Sequence, residues 1–299
     1  MDPVLEQLVE PFERMPPAEA SRILTEHYGL PAAELESLPT ERDDSFLVSA
    51  GGQQFSLKVA HPSDDPAVIE MQLAAMTFAA TADPGIPLQK IVLGLDGRPV
   101  QLVSGRAARL LTWLPGELAR GQEPTPSQLH ASGVMLGRLN HALSTFEHPA
   151  AHRALAWDLR HLGMLRELAT DATAHVIDRF EVSVAPLLDG LPQQVIHNDF
   201  HPSNILVDER DPRYVVGVLD FGDVVHAARV SDLGVALAYL APQGDLLTGV
   251  QPFIDGFETV VPLLPEEKAI LPDLVSARLV QRIVMSGLLA REQHTTGEN

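Results

Sequence analysis

Two short apolar runs, each delivering an acid to a turn, constrain this chain more than any other feature. The first reads Val195-Ile196-His197-Asn198-Asp199-Phe200-His201-Pro202-Ser203-Asn204-Ile205-Leu206-Val207. The second, Val215-Val216-Gly217-Val218-Leu219-Asp220-Phe221-Gly222-Asp223, follows shortly after. Their β-branched residues give both runs strand character, and the polar residues that follow mark turns. Asp199 and Asp220 stand at those turns, and Asn204 lies five residues beyond Asp199.

Upstream the pattern is strand-rich. A helical segment closes at Gly29, a C-cap before Pro31. Residues 35–39 and 46–48 read as strands around a polar turn, and Gly51-Gly52 closes a hairpin into residues 55–59. Phe55, Leu57 and Val59 alternate on one face, which sends Lys58 and Ser56 to the other. Asp65-Pro66 opens a helix whose Ile69, Leu73, Met76 and Ala80 form a buried stripe, with Glu70 beside it. Residues 91–93 and 99–103 are predicted strands joined as a hairpin through Asp96-Gly97. A further run covers 107–113. After Gly116 the texture becomes helical, over 129–143, 157–168, 176–188, 230–240, 249–260 and 266–289. The pattern predicts an α+β chain of two lobes. Residues 1–112 form a small antiparallel-sheet lobe with a helix, and 113–299 a larger helical lobe carrying both acid turns. A ligand cleft lies between them.

Composition narrows the function. With 45% hydrophobic residues over 299 positions, the chain can bury substantial cores. It has no cysteine, so disulfides and thiolate metal sites are excluded, which agrees with a reducing cytoplasm as its expected location. Met1-Asp2-Pro3-Val4 lacks the basic-then-apolar pattern of a secretory signal. Arg278 and Arg282 interrupt the most apolar C-terminal stretch, and no run reaches the roughly 18 apolar residues of a membrane span. A net charge of −19 repels nucleic acid and anionic lipid and would concentrate a cationic small molecule. Nothing in the sequence sets the oligomeric state.

The two acid turns suit phosphoryl transfer, which requires positioning of an acceptor hydroxyl and neutralisation of phosphate charge. Protein kinases use a similar arrangement. Asp199 would accept from or orient the hydroxyl. Asn204 and Asp220 supply the incomplete oxygen shell that magnesium prefers when phosphate and water complete it. Lys58 would reach the nucleotide phosphates with Glu70 as its ion-pair partner, and Ser45 would donate to a phosphate oxygen. Asp43 and Asp44 have the wrong charge for that task and are expected to cap the turn. There is no G-x-x-x-x-G-K-[ST] sequence and no G-x-G-x-x-G pattern around Gly51-Gly52. A rival reading takes His197, Asp199 and His201 as ligands of a metallohydrolase zinc. It leaves Asn204, Lys58 and Glu70 without a role. His197 is expected to brace the loop through backbone hydrogen bonds.

His197-x-Asp199-x4-Asn204 together with Asp220-Phe221-Gly222-Asp223 resembles the aminoglycoside phosphotransferase and choline kinase superfamily, whose fold is protein-kinase-like. Leu110-Leu111-Thr112-Trp113-Leu114-Pro115-Gly116, Ile69-Glu70-Met71-Gln72 and Gly256-Phe257-Glu258-Thr259 make the hydroxylysine kinase branch the most similar. The resemblance implies a catalytic Asp199, Mg2+ on Asn204 and Asp220, and ATP or GTP as phosphate donor. It also implies a hinge from Leu111 to Trp113 whose backbone receives the purine, and a structural Asp232 behind the catalytic loop. The acceptor implied is a hydroxylated amine; the resemblance does not carry its contacts over, and Trp157, Asp158 and Asp223 are candidates because an aromatic face and carboxylates suit an ammonium group. An aminoglycoside antibiotic and a catalytically silent nucleotide-binding module are the alternatives. The chain ends earlier than animal hydroxylysine kinases, as a compact bacterial relative or a domain excised from a fusion would.

Overall fold

A computed structural model describes residues 2–296 apart from 32, 41, 122, 212 and 241–246. Helices α1 (Pro3–Val9) and α2 (Pro17–Tyr28) lead into strands β1 (Glu34–Leu38), β2 (Asp44–Ala50) and β3 (Gln53–Val59). Gly51 and Gly52 take φ of 58° and 76°, the left-handed values that a two-residue hairpin turn demands. Helix α3 (Pro66–Ala82) follows, capped by the Asp65 carboxylate on the Ala67 amide. Strands β4 (Ile91–Val92), β5 (Gln101–Val103) and β6 (Arg106–Thr112) complete an antiparallel sheet in the order β1-β2-β3-β6-β4, with β5 also on β6.

Period-two alternation divides this sheet. Phe46, Val48, Leu57, Val59, Ala108 and Leu110 pack with Ile23, Leu24 and Tyr28 of α2 in a small core. The other face carries polar residues in register, Ser45 opposite Lys58 and Lys58 opposite Arg109. The predicted hairpin through Asp96-Gly97 does not form as such. Both flanking strands pair with β6 instead of each other, β4 at Leu110–Leu111 and β5 at Arg106–Ala108. A tight turn is present, with the Gly97 amide donating to the Gly94 carbonyl at 2.8 Å, but β6 offers one long edge that takes both short strands.

The remainder is mainly helical: β7 (Glu117–Leu118), α4 (Pro126–Leu143), α5 (Asp171–Ser183), α6 (Ala185–Leu188), β8 (Gln193–Ile196), β9 (Ile205–Val207), β10 (Val215–Val218), β11 (Val225–Ala228), α7 (Val230–Leu240), α8 (Gln251–Glu258) and α9 (Pro265–Thr296). The segment predicted as a helix from 157 forms a 3₁₀ stretch, Leu159–Leu168, with a non-helical kink at His161. The two acid-bearing runs form β8, β9 and β10. β9 and β10 pair with each other, and β8 pairs with β11. This is the two-part protein-kinase-like architecture, an antiparallel-sheet region followed by a helical one. No helix among the described residues is long and apolar enough to cross a membrane.

Helices α4 and α8 touch backbone to backbone, and glycine makes that possible. A Cβ on Gly133 would overlap the Phe253 carbonyl, and one on Gly256 would overlap the His130 carbonyl. Gly133→Ala is therefore expected to lower stability by about 1–3 kcal/mol, because forced repacking outweighs the roughly 1 kcal/mol that alanine gains in helix propensity. Gly287, where an added Cβ meets nothing within 4 Å, is the control. Thermal unfolding of the two alanine variants should move in opposite directions.

Candidate active site

The second acid turn is locked to the first by backbone. The Leu219 amide donates to the Asn204 carbonyl at 2.8 Å. His197 Nε2 lies 3.1 Å from the Leu219 carbonyl, and its Nδ1 accepts the Asp199 amide at 3.3 Å. The His197 ring is fully buried and edge-on to Phe221. Both of its nitrogens are therefore engaged by the loops, and among the described residues no group of three or more His, Asp or Glu side chains is placed to hold a metal ion. Asn198, at φ 63°, is held in this left-handed conformation by Asp232, whose carboxylate accepts its amide at 2.8 Å and that of His197 at 3.4 Å. Asp220 is likewise left-handed, at φ 58°.

Asp199 emerges between three donors. Asn204 Nδ2 is 2.6 Å from its Oδ2, while His201 Nε2 at 3.3 Å and Arg278 Nη2 at 3.2 Å meet its Oδ1. Arg278, from α9, is 1% exposed and also donates to the Trp157 carbonyl and to Gln281 Oε1, each at 2.9 Å. Its guanidinium lies 4.7 Å from the Trp157 ring centre. In the sequence Arg278 reads only as an interruption of an apolar helix. A charge inside such a stretch was itself the available signal, since a buried arginine needs acceptors.

Across the cleft, Lys58 Nζ stands 3.1 Å from Asp220 Oδ2. Lys58 holds the Asp220 carboxyl well below the usual carboxylate range. The expected Lys58–Glu70 pair does not form. Glu70 is exposed and lines a separate cavity with His27 and Leu95. Helical residues turn about 100° each, so the cleft side of α3 falls to Gln72, whose Nε2 donates to the Gly222 carbonyl at 3.1 Å. Ser45 is buried and its Oγ has no partner. Arg109 is buried, binds Asp43 through Nη2 at 2.8 Å, and its Nη1 has no partner. Unsatisfied buried donors beside a cleft fit an anionic ligand. Asp43 and Asp44 do not merely cap their turn: Asp43 pairs with Arg109, and Asp44 with Arg106 at 2.7 Å.

The remaining expectations are met unevenly. Trp113 and Leu114 line the cleft and Leu111 is buried behind it, but the backbone donors of the expected hinge are committed. The Thr112 amide donates to the Lys90 carbonyl at 2.8 Å, and the Trp113 amide to the Gln54 carbonyl at 3.0 Å. Asp158 is removed from any acceptor, being 1% exposed, bound to Arg160 at 2.6 Å and capping the Arg160 amide. Trp157 reaches the cleft wall, where Arg278 covers its ring. Asp223 lies in the cleft, where burial first and the Asp199 carboxylate second push its carboxyl up to about 7. Asp220 and Asn204 offer hard oxygens, the incomplete set that suits a divalent cation when phosphate and water complete its shell.

The cleft encloses about 2090 Å³, more than a single small-ligand pocket of roughly 300–1,000 Å³ needs, and so has room for two substrates. A sheet face bearing lysine and arginine, opposite two loops bearing acids, defines the class as a kinase-like phosphotransferase fold. The family model described as the phosphotransferase enzyme family matches residues 34–266, and the chain belongs to that family. It is 29% identical over 285 residues to a hydroxylysine kinase of Danio rerio, covering 87% of this chain and 80% of that one. It is 30% identical over 249 residues to a homoserine kinase of Phenylobacterium zucineum, covering 78% and 72%. The solved structure of a microcompartment-associated aminopropanol kinase superposes with a TM-score of 0.74 at 21% identity, over 93% of this chain and 94% of that one.

Proposed function

We propose that this chain is a small-molecule kinase that transfers the γ-phosphate of ATP or GTP to a hydroxyl of an amine-bearing acceptor, of hydroxylysine or amino-alcohol type. The observation that carries the reading is one cleft spanned by the Lys58–Asp220 pair, with Asp199 on the same acid-bearing wall as Asp220. The similarity to hydroxylysine and homoserine kinases supports the same class of acceptor. Asp199 takes up or orients the acceptor proton as the hydroxyl oxygen bonds to the γ-phosphorus and the bond to the β-phosphate oxygen breaks, leaving a nucleoside diphosphate. Lys58, Ser45 and Arg109 hold phosphate oxygens. Asn204 and Asp220 would hold Mg2+, which when bound supplies positive charge to the phosphates. Leu111 and Trp113 border the base, and Asp223 is the acid left in the cleft for an acceptor amine. The division near residue 112 separates the nucleotide-binding part from the acceptor part, and the reducing cytoplasm is the setting that fits a cysteine-free chain using nucleotide.

Nucleotide consumption with ATP and GTP over hydroxylysine, homoserine, amino alcohols and aminoglycosides tests this reading. Turnover of hydroxylated amines is expected, falling to background with excess chelator and returning with added magnesium. Tight nucleotide binding with no turnover across the panel would refute it.

A further inference from the structure

One face of α9 lines the cleft with Arg278, Arg282, Ser286 and Leu289, at spacings of four, four and three residues. That face bears two positive charges and no acid, although the chain has 40 acidic and only 21 basic residues. The two arginines differ. Arg278 is buried with both terminal nitrogens bound to protein, one of them to Asp199. Arg282 is half-buried, and Nη1 donates to the Ala238 carbonyl at 2.9 Å. Its guanidinium carbon lies 3.7 Å from the centre of the Tyr239 ring. Among the described residues it has no carboxylate partner, whereas Arg106, Arg109, Arg138 and Arg229 each have one.

A guanidinium held over an aromatic ring and anchored by one hydrogen bond has its remaining donors restricted in direction, an arrangement suited to two-point recognition of a carboxylate. Tyr239 also stacks on His201, with ring centres 4.2 Å apart, and His201 reaches Asp199. One tyrosine thus links Arg282 to the residue assigned to the hydroxyl.

We propose that Arg282 is a specificity-determining residue that receives a carboxylate of the acceptor while Asp199 faces its hydroxyl. This rests on the phosphotransfer reading above and narrows it. The preferred acceptor is a hydroxy amino acid, and amino alcohols or aminoglycosides without a carboxylate are poor substrates. The net negative charge of the protein attracts the amine end, and Arg282 selects for the acid end.

The test compares acceptors that differ only in that group: homoserine against aminopropanol, and hydroxylysine against its decarboxylated diamine. The wild-type protein is expected to favour the carboxylate member by about 10- to 100-fold in kcat/KM, the range for a hydrogen bond to a charged group. In Arg282→Gln that ratio should collapse to a few-fold, chiefly through the acceptor KM, with Arg282→Lys intermediate. Equal use of both members by the wild type, a ratio unchanged in Arg282→Gln, or a loss confined to the nucleotide KM would overturn the proposal. Calorimetric binding of the same pairs separates the two readings. A carboxylate preference in binding without any turnover supports this assignment and counts against phosphotransfer, whereas equal binding of both members overturns the assignment.

Discussion

Asp199→Asn is expected to lower kcat by about 10²–10⁴-fold, the usual contribution of a positioned general acid or base. Nucleotide affinity should stay within a few-fold of wild type. The substitution preserves the shape of the side chain and removes its charge and basicity. Lys58, Ser45 and Arg109, the groups assigned to the nucleotide, lie on the opposite face of the cleft and keep their surroundings. The variant does leave Arg278 without its carboxylate, so some loss of stability accompanies the loss of rate. Rates are therefore to be read well below the unfolding midpoint, with nucleotide binding measured separately by calorimetry. Full turnover by this variant would remove Asp199 from the reaction. Loss of nucleotide binding equal to the loss of rate would give it a different role.

How much of this was legible in the sequence depends on the range of the interactions. The acid turns lie in runs of β-branched residues, and their alternation is a local property that survives folding. The same holds for Lys58, which strand periodicity sends to the polar face of the sheet. Glu70 failed for a reason equally local. Two helical positions are about 200° apart, so the boundary between stripe and surface could not choose between Glu70 and Gln72 without knowing where α3 docks. Asp158 failed because an aromatic beside an acid describes a cation site and a capped turn equally well, and Arg160 two residues on made it the latter. Arg109, Arg278 and Arg282 were out of reach as functional residues. Arg278 meets Asp199 across 79 residues of chain, and Lys58 meets Asp220 across 162. No periodicity encodes such pairings. Only the oddity of a charge in an apolar segment hinted at them.

Arg278→Met is the second large effect. Methionine fills much of the same volume, so the change isolates the loss of charge and donors more than the loss of packing. Three acceptors lose a donor: Gln281 Oε1, the Trp157 carbonyl, which keeps Asn198 Nδ2, and Asp199 Oδ1, which keeps His201. Breaking a buried ion pair costs about 3–5 kcal/mol, and the lower end applies here because Asp199 opens to the cleft and keeps Asn204 and His201. A fall in Tm of several degrees is expected. The more telling readout is the rate per folded molecule. Without Arg278 the carboxylate is restrained from fewer sides, and a misplacement of about 1 Å at a reacting group can cost about 100-fold. A kcat reduced by about 10–100-fold, with nucleotide KM unchanged and partial recovery in Arg278→Lys, would identify Arg278 as the residue that positions Asp199. A lowered Tm with an unchanged kcat below it would leave Arg278 as support for α9 alone.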